Sequence, residues 1–131
     1  MFDQQKSELL ALLKSFTAFP ELIIITKVNP KCMALGLETS EFNINGYNIY
    51  SSNVDKCNKR GIIIYINCKL SSTEIALVSV FSEYLFVQIK GISTQTITVG
   101  AIYRSPSSTA ENDNYLFNLI NEMKSRVKMV I

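Results

Sequence analysis

Tyr84-Leu85-Phe86-Val87-Gln88-Ile89-Lys90 and Thr96-Ile97-Thr98-Val99-Gly100-Ala101-Ile102-Tyr103 are two apolar, β-rich runs separated only by the turn Gly91 to Gln95. A connection that short closes a hairpin and leaves no room for the crossover helix that a parallel pair needs. The chain is therefore expected to build mixed or antiparallel sheets and not a Rossmann-type wind. Gly100 inside the second run marks a place where something packs close to the backbone.

Four further strands are predicted upstream. Leu22 to Ile25 is a short continuous apolar run closed by Thr26, with Asn29-Pro30 soon after, so a buried strand delivers Lys27 to the rim of a sheet. A charged residue just past a buried strand is either a site candidate or the start of a solvated loop. Phe42, Ile44, Tyr47, Ile49 and Tyr50 alternate around Asn45-Gly46, which reads as a strand, a hairpin turn and a second strand ending near Ser51. Gly61 opens the strand Ile62 to Ile66 after a polar loop, Ser52 to Arg60, whose Lys56, Lys59 and Arg60 are candidates for phosphate contact or a solvated surface. Glu74 to Ser79 begins another extended region, and Cys32 to Ser40 is irregular around Gly36.

Helical spacing occurs at both ends of the chain. Leu9, Leu12, Leu13 and Phe16 predict an amphipathic helix over 7–16, stopped before Pro20. Tyr115, Leu116, Leu119, Ile120 and Met123 share one face of a second helix over 110–126, with Ser108 or Thr109 as N-cap and Glu111 and Asp113 in its first turn. Val127 to Ile131 has the composition of a further strand. The pattern is an α/β (α+β) sandwich of mixed, largely antiparallel sheets with flanking helices, carried on 131 residues as one domain or part of one.

Composition narrows the chemistry. With 47% apolar and 18% charged residues the chain has the means to build a core, and a formal charge of +2 is too small to indicate nucleic-acid binding without clustering. There is no histidine, so imidazole-based nucleophilic schemes are excluded and any catalysis rests on carboxylates, Lys, Tyr or a metal. Cys32, Cys57 and Cys68 are odd in number and widely spaced, which fits buried or idle thiols in a reducing compartment. No basic, apolar leader and no long apolar run is present, and an intracellular, soluble protein is expected.

Taken in order, the Leu22–Ile25 strand, Thr26-Lys27-Val28-Asn29-Pro30-Lys31, Gly46-Tyr47, Arg60-Gly61-Ile62-Ile63-Ile64-Tyr65 and Val99-Gly100-Ala101-Ile102-Tyr103-Arg104-Ser105-Pro106 resemble the endonuclease/exonuclease/phosphatase family. The likeness is closest to the apurinic-endonuclease-like domain that non-LTR retrotransposons carry ahead of their reverse transcriptase. It runs through nearly all of residues 1–131, which would correspond to the first half of that domain without its first strand. The resemblance implies a sandwich that cleaves DNA phosphodiesters with Mg2+, and DNA as partner. It also implies that Tyr103 contacts the scissile phosphate, with Asn29, Arg104 and Ser107 near phosphate-binding positions.

Where that family holds Mg2+ with a glutamate, this chain has Lys27. A +1 charge ~4 Å from a divalent ion at an effective dielectric of ~20 is repelled by about 8 kcal/mol, where a carboxylate is attracted by a similar amount. No metal ligand and no cofactor are expected in this chain, and the implied state is a truncated endonuclease-like domain without activity. The alternative is a non-catalytic module that binds nucleic acid or protein through an open sheet face. Half a sandwich would leave Ile62, Ile64, Phe86 and Ile102 without a partner layer, and self-association through that apolar sheet or an edge strand is expected, with no membrane partner.

Overall fold

The computed structural model describes residues 20–28, 42–54, 59–90 and 95–126, together with Glu8 and Leu12. Six strands and one bounded helix follow in chain order: β1 (Leu22–Val28), β2 (Tyr47–Ser52), β3 (Gly61–Asn67), β4 (Ser71–Glu74), β5 (Tyr84–Lys90), β6 (Thr96–Ile102) and α1 (Ala110–Arg126). They form two three-stranded antiparallel sheets, β1-β3-β2 and β4-β5-β6, so the mixed α+β composition and the antiparallel pairing are as expected. Glu8 and Leu12 are helical; the remainder of the predicted 7–16 helix, the irregular stretch 32–40, the turn 91–94 and the predicted strand at 127–131 lie outside the described residues.

Strand β3 holds the architecture together because both of its faces are apolar. Ile62, Ile64 and Ile66, all at 0% exposure, point at Leu85, Val87 and Ile89 of β5 and Ala101 of β6, which makes the layer between the sheets. Ile63 and Tyr65 point the other way, onto Val28, Phe42, Ile44 and Val54. The outward face of the second sheet is covered by α1: Phe86 and Phe81 pack with Leu116, Leu119 and Met123, and Ile102 joins them. Each fully buried aliphatic side chain contributes about 2 kcal/mol relative to leaving it in water.

This layering overturns one expectation. Ile62, Ile64, Phe86 and Ile102 have partner layers: the first two face the opposite sheet and the last two face α1. Each three-stranded sheet is wide enough to cover its neighbour's central strand, so no open apolar sheet face remains at these four residues. What stays exposed lies elsewhere, with Ile24 and Ile97 on edge strands, Val78 and Val80 in a connection, and Phe117 on α1.

Two boundaries also move. Phe42 to Ile44 is not a strand; Tyr47 N donates to Ile44 O (3.2 Å) across the Asn45-Gly46 turn, with Gly46 at φ 90°, and β2 pairs with β3 instead. Phe42 and Ile44 are buried against the outer face of the first sheet, and the Tyr65 hydroxyl donates to Phe42 O at 2.6 Å, so packing claims this segment before pairing can. The extended region expected from Glu74 onward begins earlier: β4 is Ser71–Glu74, and the chain leaves the ladder after Ile75 N donates to Phe86 O (2.9 Å). Gly100 behaves as expected. It sits opposite Phe86 in the β5–β6 register, and a Cβ there would collide with the Phe86 ring.

Candidate functional site at one end of the sandwich

Strands β1, β2 and β6 finish, and β3 and β5 begin, at the same end of the molecule. Val28 pairs with Gly61 and Ser52 with Ile62 in one sheet, while Tyr84 pairs with Ile102 in the other. Side chains tie the two sheets together there: Asn53 Nδ2 donates to Ser82 O (2.7 Å), Lys59 Nζ donates to Ser82 Oγ, and Glu83 Oε2 accepts from Arg60 N (2.9 Å). Tyr103 N donates to Glu83 O at 2.9 Å, which seats the residue after β6 in the same corner.

Lys27 reaches this corner through a backbone irregularity. Ile25 pairs with Ile63 and Val28 with Gly61, so Thr26 and Lys27 together oppose Ile62 and β1 carries one extra residue. Lys27 takes φ 60°, in the left-handed region that costs a residue with a Cβ about 1 kcal/mol. A bulge of this kind re-aims a side chain, and here it turns Lys27 over the ring of Tyr103, with Nζ 5.7 Å from the centroid. Tyr103 itself is half-buried against the layer between the sheets, so its ring is a fixed platform while the Lys27 head stays in solvent.

The loop after Tyr103 is fastened to the start of α1. Arg104 donates through Nε and Nη2 to the two carboxylate oxygens of Asp113, both at 2.9 Å, a fork that fits a carboxylate with both prongs. Ser108 Oγ adds a bond to Asp113 (2.8 Å) and accepts one from Asn112 Nδ2 (3.0 Å). Hydrogen bonding from Arg104, then from Ser108, holds the Asp113 carboxyl below the ordinary carboxylate range, and Asp113 in turn raises the Arg104 guanidinium. Thr109 is the N-cap: its Oγ1 accepts from Asn112 N at 3.0 Å.

The residues singled out in the sequence thus have different fates. Lys27 and Tyr103 are in contact, and Arg104 follows directly with its fork engaged by Asp113. Ser107 is exposed and bonded to Ser105, with 2.9 Å between the hydroxyl oxygens. Asn29, Lys31 and Lys56 lie outside the described residues. Ser82 and Glu83, which join the sheets at this end, carry no sequence signal, because their partners belong to a different sheet. A cleft of about 330 Å³ opens beside them, with Ser51, Ser52, Ser79 and Ser82 on its walls and Phe81 and Leu85 beneath.

No protein-family model and no curated protein matches this chain. Among the described residues no group of three or more Cys, Asp or Glu side chains is placed to hold a metal ion. Cys68 is an exposed thiol, while Cys32 and Cys57 are outside the described residues. No described helix is long and apolar enough to cross a membrane.

Proposed function

We propose that this chain is an endonuclease-like domain of the endonuclease/exonuclease/phosphatase type, related to the retrotransposon apurinic-endonuclease-like domain, that does not cut DNA. The observation that carries this reading is the contact between Lys27 and Tyr103. In the resembled family the matching positions are a metal-binding glutamate and a phosphate-binding tyrosine, which belong to one site. Two residues distant in sequence and on different sheets meet here as that correspondence requires. With a cation in place of the carboxylate, the corner attracts a phosphodiester and repels the Mg2+ that hydrolysis would need.

A second reading, binding of nucleic acid without cleavage, is favoured by the placement of Lys27, Lys59, Arg60 and Arg104 at this same end of the sandwich. Binding of this kind is carried by the phosphate backbone and weakens steeply with salt. It needs no open sheet face.

The test is nicking of supercoiled and abasic-site DNA in Mg2+ by the wild-type chain and by Lys27→Glu, with binding to the same DNA followed against salt. Neither protein is expected to nick, because restoring one carboxylate does not restore a metal site. Lys27→Glu is expected to weaken binding and to lower the log–log salt slope by about 1. Cleavage by the wild-type chain that EDTA abolishes would sink the proposal.

A further inference from the structure

The connection between β4 and β5 has the properties of an edge strand without a neighbour. From Ile75 to Phe81 the side chains alternate in burial as along a strand: Ile75, Leu77, Ser79 and Phe81 turn in, and Ala76, Val78 and Val80 turn out. Val78 is 97% exposed and Val80 71%. Among the described residues, no backbone N–H from Ala76 to Val80 has a hydrogen-bond partner, and the Leu77 carbonyl accepts only the Tyr84 hydroxyl (3.1 Å). Bare main-chain donors beside an outward row of apolar side chains make a template for another strand. β1, by contrast, has an edge broken by its bulge and by Lys27, as protected edges are.

We propose that this segment pairs with the same segment of a second copy of the chain, antiparallel and centred on Val78. The sequence around Val78 is self-complementary in that register. Ala76 faces Val80, Leu77 faces Ser79, and Val78 faces itself across the two-fold axis, so a small side chain meets a branched one on the apolar face. Charge settles the register. One pair further out, exposed Glu74 falls opposite Ser82, whose hydroxyl is held by Lys59 Nζ, so the carboxylate of each copy meets the ammonium of the other. A slip by one pair that brings position 80 opposite Glu74 would instead press the carboxylate against Val80. The segment is short against the ~1,600 Å² of a standard interface, so the dimer is a weak one. This inference shares Lys59 and Ser82 with the Lys27 corner but does not rest on the Lys27–Tyr103 contact.

Sedimentation velocity from low micromolar to millimolar concentration tests it on the full chain. The wild type is expected to pass from monomer to dimer. Val78→Lys places two like charges directly opposite each other in the dimer and is expected to raise the dissociation constant at least about tenfold while leaving the circular dichroism spectrum unchanged, since the Val78 side chain is almost wholly in solvent. Glu74→Lys and Lys59→Glu are each expected to weaken the dimer about threefold, and the double exchange to restore it. A dimer that Val78→Lys leaves intact overturns the proposal, as does a wild type that remains monomeric throughout; the latter result would point to an extended segment of another protein as the occupant.

Discussion

Ile64→Ala is expected to destabilise the fold by about 3–4 kcal/mol, and to lower Tm by about 10–15 °C. Ile64 is at 0% exposure in the middle of β3, pressed between its own sheet and the β5 face that carries Leu85 and Val87. Truncation removes three carbons and leaves a void that two flat sheets cannot collapse to fill, because each is held at its spacing by the neighbouring Ile62 and Ile66. Against a total stability of about 5–15 kcal/mol for a domain of ordinary size, that is a large fraction. Ile24 supplies the control. It is the cross-strand partner of Ile64 on β1 yet is 40% exposed, and Ile24→Ala is expected to cost under about 1 kcal/mol. Equal effects from the two substitutions, read from urea unfolding, would mean that the sheets do not stack through β3.

The second large effect is at Tyr65, on the opposite face of the same strand. Tyr65→Phe keeps the ring and its edge-on contact with Tyr47 (centroids 6.2 Å apart) but removes the hydroxyl that donates to Phe42 O. The net contribution of that hydrogen bond is then lost, and a cost of about 1 kcal/mol is expected at neutral pH. Alkaline pH gives the same residue a second signature. Burial disfavours the phenolate and pushes the Tyr65 hydroxyl up to about 12 from an ordinary 10.0.

Because the folded state holds this proton more tightly than the unfolded chain does, the stabilisation is fully present below pH 10 and is lost as pH climbs from there toward 12. The loss reaches about 3 kcal/mol by the upper limit. Tyr47 and Tyr84 are raised in the same direction by burial and steepen the decline. Unfolding midpoints measured from pH 8 upward should therefore fall less steeply in Tyr65→Phe than in the wild type. Identical slopes would show that Tyr65 is hydrated in the folded state.

These two residues also show what local pattern can and cannot convey. Ile62 to Ile66 is legible as a strand from composition, while the burial of both its faces, against the expectation for Ile62 and Ile64, is decided by the stacking of the layers. The boundaries of β3, β5, β6 and α1 follow from punctuation in the chain: Gly61, the turn after Lys90, and the Thr109 cap. Misplacement occurred where side chains and backbone compete. Phe42 to Ile44 alternates like a strand but spends its apolar side chains on the outer face of the first sheet, and 76–79 alternates like a strand but pairs with no other strand among the described residues.

The candidate site divides in the same way. Lys27 just past a buried run and Tyr103 after an apolar strand are visible as positions, and the family resemblance singles them out together. Their contact depends on a bulge that no residue in Ile25-Thr26-Lys27-Val28 announces, since none is glycine. Ser82, Glu83 and Asp113 take their roles from partners brought in by the stacking of sheets and by the seating of α1.

By itself, the sequence determined that β3, β5 and β6 are strands and α1 a helix, that the sheets are largely antiparallel, and that no histidine is available. Those properties depend on residue identity and on spacing over a few neighbours, and they survive any arrangement of the elements. Only the tertiary structure decided that Ile62, Ile64, Phe86 and Ile102 are covered, that Lys27 lies over Tyr103, and that Ala76, Val78 and Val80 are left facing water. Each of these is a long-range outcome. Burial of an apolar face is favourable against any apolar layer, so composition cannot name the layer, and the choice falls to how two sheets and a helix share a limited area.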